Sequence, residues 1–151
     1  MPLQQEELAV VRSRMGNIDP RMLNPLQMAY IGDTIHDLYV RSLLLARGMS
    51  VGAMHKRAVR MVSAGAQARM LRAIEPMLTQ EEADVARRGR NAQAKHAAPR
   101  HADPADYAHA TGLEALWGYL YITGQGERLD VLMTAALEAA CAHEGAHGGE
   151  A

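Results

Sequence analysis

The spacing of apolar residues along this chain is that of amphipathic helices. Apolar residues recur at every third or fourth position through most of the sequence, as they do on the buried face of an α-helix, and no stretch has the pattern of a β-strand. Seven helical segments are predicted, at residues 3–15, 25–46, the stretch after Ser50, 64–77 with an interruption at Pro76, 80–90, 104–123 and 127–142.

Capping residues support the boundaries of these segments. Asn24-Pro25 and Asp103-Pro104 each place a capping side chain directly before a proline, which is favoured at the first position of a helix. Gly48 follows the second segment and is a suitable C-terminal stop, since glycine readily adopts a positive φ. These signals predict helices that start and stop abruptly.

The composition agrees with a helical core. Hydrophobic residues make up 48% of the 151 residues, with ten Met, one Trp and no Phe, so the core must consist mainly of aliphatic side chains and methionine. A chain of this length is expected to form one domain with a substantial core. We therefore predict an all-α fold with a single domain over residues 1–142 and a disordered tail at 143–151.

Several classes of protein are disfavoured. The single cysteine, Cys141, excludes an internal disulfide and a cysteine zinc cluster. No apolar run approaches the roughly 20 residues that span a bilayer, and the acidic and mixed N-terminus does not resemble a signal peptide. We expect a cytoplasmic protein.

The net charge of -1 conceals a strong asymmetry. Residues 41–100 contain twelve Lys and Arg against four Asp and Glu, a balance of +8, whereas the rest of the chain carries -9. A basic region of this size can form the electrostatic footprint of a polyanion-binding surface. The alternative is a set of solvated helix faces over which the charges are scattered.

Two acidic residues stand inside otherwise apolar helical stretches. Asp33 follows Gly32 in AYIGDTIHDLYV, and Glu114 lies in TGLEALWG. Burying either carboxylate alone is costly, but the two become compatible if a cation lies between them. Oxygen ligands suit Mg²⁺, with Mn²⁺ as a substitute. On spacing alone, Asp33 could equally be a hydrogen-bonded polar residue and Asp37, on the same helix face, a surface charge.

Four blocks of the sequence resemble the catalytic domain of ribonuclease III. They are AYIGDTIHDLYVRSLLL, VSAGAQARML, RRGRNA and TGLEALWGYLYITGQGERLD, which occur in the family's order over about residues 23–135. The resemblance is closer to the Mini-III branch, which lacks a double-stranded-RNA-binding domain. The end of the chain at residue 151 agrees with that expectation.

The family signature is only partly present. The signature of ribonuclease III resembles E-x-x-E-x-x-G-D, followed later in the chain by D-x-x-E. Here Gly32-Asp33 matches the GD, and Glu114 matches the last glutamate. Leu26, Ala29 and Thr111 stand at the remaining acidic positions. The resemblance therefore implies Asp33 and Glu114 as catalytic and metal-binding residues, and this reduced set is what the Mini-III branch looks like.

The resemblance implies a function as well as a fold. It implies a symmetric homodimer with an Mg²⁺-dependent site in each subunit, which cleaves double-stranded RNA to 5′-phosphate and 3′-hydroxyl ends. The substrate would be precursor RNA of the large ribosomal subunit (23S), and a ribosomal protein could present it. The helix that carries Asp33 would lie near the dimer interface.

The basic region supplies candidate RNA contacts. Arg87, Arg88, Arg90 and Asn91 lie where the fifth helix is expected to end, and Lys95 lies in a predicted exposed loop at residues 91–102. These side chains could contact phosphates across the minor groove of A-form RNA. Alternatively, they compensate the negative end of the helix dipole.

Other functions remain open. A non-catalytic RNA-binding or ribosome-assembly protein could retain the fold while lacking some of the family's acidic residues. An all-α nucleotide pyrophosphohydrolase would need E-x-x-E pairs that Glu75, Glu81 and Glu82 do not form. The dipeptide His36-Asp37 is also found in HD-type metal phosphohydrolases, but these need an upstream histidine and His36 is the first in the chain.

Overall fold

The computed structural model of the chain describes residues 5–147, with side chains from residue 9 to residue 143. Seven α-helices lie within this part of the chain, with no β-strand, which confirms the predicted all-α class. They are α1 (Gln5–Ser13), α2 (Pro25–Ala46), α3 (Val51–Val62), α4 (Ala64–Ile74), α5 (Gln80–Ala94), α6 (Pro104–Ile122) and α7 (Gly126–His147). Within the described range, none of these helices is both long and apolar enough to span a membrane.

Helix α6 is the centre of the fold. From Ala110 to Tyr121 every residue except Glu114 is buried, the pattern of a helix that is apolar on all sides. Helices α2, α4 and α5 pack most extensively against α6. Glu114 is therefore the one residue of this stretch that remains partly exposed.

Glycines allow the helix backbones around α6 to approach closely. A Cβ atom at Gly32 of α2 would overlap the carbonyl oxygen of Glu114, and one at Gly118 of α6 would overlap that of Met28. Across the α5–α6 contact, a Cβ at Gly89 would lie 2.7 Å from that of Ala115. The glycine in the middle of α2, unfavourable for an isolated helix, is thus required by the α2–α6 crossing.

Several predicted boundaries differ from the structure. Helix α5 continues to Ala94, so residues 91–94 are helical and the predicted loop begins only at Lys95. Helix α4 ends at Ile74 and a short 3₁₀ turn, Glu75–Met77, follows because Pro76 cannot continue the α-helical hydrogen bonding. Helix α7 continues to His147, which overlaps the tail predicted at 143–151, and residues 148–151 lie outside the described residues.

The start of α5 is held by a partly buried ion pair. The Arg128 guanidinium donates to both carboxylate oxygens of Glu82 at 2.9 Å and to the Met77 carbonyl oxygen at 2.7 Å. The Glu82 side chain is only 5% exposed and that of Arg128 is 31% exposed. Above all, the hydrogen bonds from Arg128 hold the pKa of the Glu82 carboxyl below its usual value.

Replacing Arg128 with methionine is expected to destabilise the fold by about 3 kcal/mol. This is the lower end of the range for a buried pair that loses one partner, because Arg128 is partly exposed. The destabilisation should shrink as the pH falls and Glu82 becomes protonated. Urea unfolding measures both effects, and Arg72→Met, which breaks the exposed 3.7 Å pair with Asp106, should change stability by less than about 1 kcal/mol. Equal losses in the two variants would contradict this account.

Candidate active site

Asp33 emerges from α2 where this helix crosses α6. Its neighbour Gly32 is buried against the backbone of Glu114, whereas Asp33 itself is exposed. Because the contact at Gly32 leaves no room for a side chain, the two backbones are as close as helices can be. The carboxylate of Asp33, the next residue, therefore lies at the edge of α6 near Glu114.

The Asp33 and Glu114 carboxyl groups meet across this crossing. The pKa of Glu114 rises to about 9, through burial first, then through the negative charge of Asp33 and a hydrogen bond with it, and last through the charge of Asp37. Two acidic residues 81 positions apart in sequence thus form one electrostatically coupled pair.

The pair fits a divalent cation by its donor chemistry. It offers carboxylate oxygens, the ligands that Mg²⁺ prefers, and Mg²⁺ commonly uses only one or two carboxylates with water and phosphate as further ligands. A cation beside Glu114 would favour its charged form and so offset the burial that raises its pKa. Among the described residues, no group of three or more His, Cys, Asp or Glu side chains is placed to hold a metal.

Asp37 lies one turn beyond Asp33 and has a different partner. Its carboxylate pairs with Arg41 at 3.6 Å on the exposed face of α2. It also contributes the smallest of the effects that raise the pKa of Glu114. Asp37 therefore sits at the margin of the acidic pair, where Arg41 already balances its charge.

Thr111 stands where the family's D-x-x-E motif has its aspartate, but its hydroxyl proton is used within α6. The Thr111 hydroxyl donates to the Tyr107 carbonyl oxygen at 3.0 Å, within α6. The residue is buried, one turn before Glu114. The hydroxyl proton is thus already used in a hydrogen bond to the backbone of its own helix.

His36 is a core residue. It is 0% exposed, its Nδ1 accepts a hydrogen bond from Trp117, and its Nε2 lies 3.1 Å from the Met61 carbonyl oxygen. Burial lowers the pKa of the imidazole. Since both ring nitrogens are used, His36 cannot be the metal ligand that an HD-type phosphohydrolase needs.

The metal-free protein is expected to lose stability as the pH rises from about 4.5 to about 9. Glu114 binds its proton more tightly in the folded chain than in the unfolded one, so its stabilising effect is complete below the unfolded pKa. That effect is lost as the pH rises through the folded pKa. Thermal unfolding in EDTA across this range measures the slope. Glu114→Gln, which cannot ionise, should flatten it; an unchanged slope in this variant would exclude Glu114 as the cause.

The five candidate RNA-binding residues lie in different surroundings along α5. Arg87 and Arg88 line a cleft of about 590 Å³ together with Asp19, Glu81 and Asp84, and Arg87 pairs with Asp84 at 3.0 Å. The positive charge of this part is therefore partly neutralised. Because α5 extends to Ala94, Arg87 and Arg88 also lie too far from its end to compensate its dipole.

The other three residues lie towards the end of α5. Arg90 is half-buried beside α6, where a Cβ at Gly112 would lie 3.5 Å from that of Arg90. Asn91 is exposed within α5, in a helix and not in the predicted loop, and Lys95 is the exposed C-cap residue. This end of α5 passes the part of α6 that carries Glu114, since Gly89 packs against Gly112 and Ala115.

Comparison with known proteins decides the family. The ribonuclease III domain family matches residues 26–125. A Mini-ribonuclease 3 of Symbiobacterium thermophilum is 50% identical over 80% of this chain and 92% of its own, and one of Brevibacillus brevis is 46% identical over 74% and 83%. The chain belongs to the ribonuclease III family. Its relatives place it in the Mini-ribonuclease 3 branch.

The fold agrees with this ribonuclease III assignment. A crystal structure of a Fusobacterium nucleatum protein superposes with a TM-score of 0.73 at 25% identity, over 81% of this chain and 98% of that one. Membership of the ribonuclease III family makes the chain an endoribonuclease and thus a hydrolase. It also argues against the nucleotide pyrophosphohydrolase considered from sequence.

Proposed function

We propose that this endoribonuclease cleaves double-stranded RNA in a divalent-metal-dependent reaction that leaves 5′-phosphate and 3′-hydroxyl ends. The observation that carries the proposal is the close α2–α6 crossing, where Gly32 lies against the backbone of Glu114 and the Asp33 and Glu114 carboxyl groups meet. A protein that only binds RNA has no use for a half-buried acidic pair, which repels the phosphate backbone. A hydrolase that holds a cation there does.

Asp33 and Glu114 are the proposed metal-binding and catalytic residues. They would hold Mg²⁺, or Mn²⁺ as a substitute, with water and RNA phosphate as the further ligands. When bound, such an ion polarises a phosphoryl oxygen and lowers the pKa of a coordinated water. The protein's own part is to hold the two carboxylates close together, and the backbone contact at Gly32 brings their two helices together.

The end of α5 is the proposed RNA-binding surface. Arg87, Arg88, Arg90 and Asn91 flank Gly89, which packs against α6 at Gly112 and Ala115 on either side of Glu114, and Lys95 caps the same helix. Contacts of this kind read the shape of A-form RNA and not its bases. Binding should therefore weaken steeply with salt, because each phosphate contact releases counterions.

A homodimer is proposed from the surface beside the acidic pair. Tyr30, three residues before Asp33 on α2, is 84% exposed, and Met22, just before this helix, is 82% exposed. Because Tyr30 lies about one turn before Asp33, a partner surface that covered it would adjoin the acidic pair. A second copy of the chain would cover them and place two sites near one duplex, one for each strand.

The proposed natural substrate is the precursor of the large-subunit (23S) ribosomal RNA, processed in the cytoplasm. This substrate is what the resemblance to the Mini-III branch implies, and the relatives' shared name identifies them as ribonucleases. A ribosomal protein bound to the precursor is the proposed presenting partner.

A long RNA duplex incubated with the protein tests the proposal. Fragments with 5′-phosphate ends are expected in Mg²⁺ and none in EDTA, and Asp33→Asn should yield far fewer. Single-stranded RNA of the same sequence is the substrate control. Duplex retardation by both proteins without cleavage by either would favour the binding-only alternative, and monophosphate release from free nucleoside triphosphates would favour a pyrophosphohydrolase.

A further inference from the structure

A buried polar link joins the two helices that carry the acidic pair. The indole N–H of Trp117 on α6 donates to Nδ1 of His36 on α2 over 3.2 Å, and both side chains are fully buried. His36 lies three residues after Asp33, and Trp117 lies three residues after Glu114. Since residues three apart are neighbours on a helix surface, the link joins α2 and α6 about one turn along each helix from its carboxylate.

This link holds the imidazole in one tautomer. An indole N–H can only donate, so Nδ1 of His36 accepts and the ring proton resides on Nε2. From there it is donated to the Met61 carbonyl oxygen at 3.1 Å. Met61 lies in the last turn of α3, where carbonyl groups lack partners within the helix. The neutral ring thus ties α2 to α6 through Nδ1 and to α3 through Nε2.

The glycine contacts alone do not fix the rotation of α2 against α6. At Gly32 and Gly118 the α2 and α6 backbones touch without intervening side chains. Such a contact limits how closely the helices approach but does little to fix their rotation. A hydrogen bond is directional, so the His36–Trp117 bond can fix it. A rotation of α2 would carry Asp33 away from Glu114.

We propose that His36 is a positioning residue for the acidic pair. Its hydrogen bond with Trp117 sets the rotation of α2 against α6, and thereby the separation of the Asp33 and Glu114 carboxyl groups. The inference rests on the proposed function, in which these carboxylates hold the cation. His36 itself contacts neither the cation nor RNA.

Two substitutions separate the two hydrogen bonds of His36. In His36→Asn the amide oxygen takes the place of Nδ1, so the bond from Trp117 is kept and the bond to Met61 is lost. In His36→Gln the amide nitrogen takes the place of Nε2, so the bond to Met61 is kept and the bond from Trp117 is lost. Each variant leaves one buried polar group unpaired, so both should have a lower Tm than wild type.

Magnesium binding without RNA distinguishes positioning from a merely structural role. Trp117 is the only tryptophan of the chain, so its fluorescence can follow an Mg²⁺ titration, and the Mg²⁺-induced rise in Tm gives a second measure. His36→Gln should need about tenfold more Mg²⁺ for half-saturation, the usual effect of losing a residue that orients a ligand. His36→Asn should remain within about threefold of wild type. Equal shifts in both variants, or none in either, would overturn the positioning role.

The same titration separates this inference from the proposed function. Suppose that Mg²⁺ changes neither the fluorescence nor the Tm of wild type, and that wild type does not cleave duplex RNA. The proposed function then fails, and the inference fails with it. If wild type binds Mg²⁺ and cleaves RNA while His36→Gln titrates like wild type, only the positioning role of His36 is refuted. Asp33→Asn, which should abolish the Mg²⁺ response, confirms that the signal comes from the acidic pair.

Discussion

Replacing Glu114 with glutamine is expected to lower the rate of duplex cleavage by about 10³-fold or more. The substitution keeps the shape of the side chain but removes the charge that would hold a cation beside Asp33. Metal ions contribute several kcal/mol to such reactions, and each 1.4 kcal/mol corresponds to a factor of ten in rate. Single-turnover cleavage in Mg²⁺ measures the loss, and gel retardation should show RNA affinity close to that of wild type.

Asp37→Asn is the matched control for this loss. It removes one carboxylate charge from the same region, but Asp37 is already paired with Arg41 at 3.6 Å and lies one turn beyond Asp33. Cleavage should fall by less than about tenfold, the effect of a change of about 1.4 kcal/mol. If Glu114→Gln retained wild-type cleavage, or if Asp37→Asn were as inactive, the assignment of the acidic pair would be wrong.

Gly32→Ala and Gly118→Ala are each expected to destabilise the fold by at least about 3 kcal/mol, the upper end of the usual cost of overpacking. In both cases the added methyl group overlaps a carbonyl oxygen of the facing helix, that of Glu114 or that of Met28. Backbone cannot move aside as a flexible side chain can, so α2 and α6 must separate. Urea unfolding followed by circular dichroism measures the loss.

The exposed glycine of α3 provides the control. A Cβ at Gly52 has no atom within 4 Å, so Gly52→Ala should stabilise the protein by about 0.5–1 kcal/mol through helix propensity alone. If Gly32→Ala or Gly118→Ala were as stable as wild type, the close crossing of α2 and α6 could not be correct.

Local sequence signals were sufficient for most of the helices. The range Pro25–Ala46 for α2 matches the prediction, because an asparagine cap, a proline at the first position and Gly48 at the end all act within a few residues of the boundary. The end of α5 was missed. Residues Asn91–Ala94 carry no apolar periodicity, yet the preceding turn is anchored on α6 through Gly89, and the helix runs on past that contact.

His36 shows how a residue's role can escape the sequence. Its neighbour Asp37 suggested a metal-binding dipeptide, whereas its partners, Met61 and Trp117, are 25 and 81 residues away. No spacing rule connects such distant positions. The buried histidine could be recognised only when three helices were in place.

The sequence by itself determined the helical class, most helix boundaries, the ribonuclease III resemblance and the two acidic residues that stand out in apolar helices. These properties follow from local periodicity, capping and short motifs, all of which depend only on residues that are close together in the sequence. Only the tertiary structure decided that Asp33 and Glu114 meet, that Gly32 and Gly118 are the reason they can, and that α5 continues to Ala94. Contacts between helices depend on backbone separation and rotation, and no single helix encodes either.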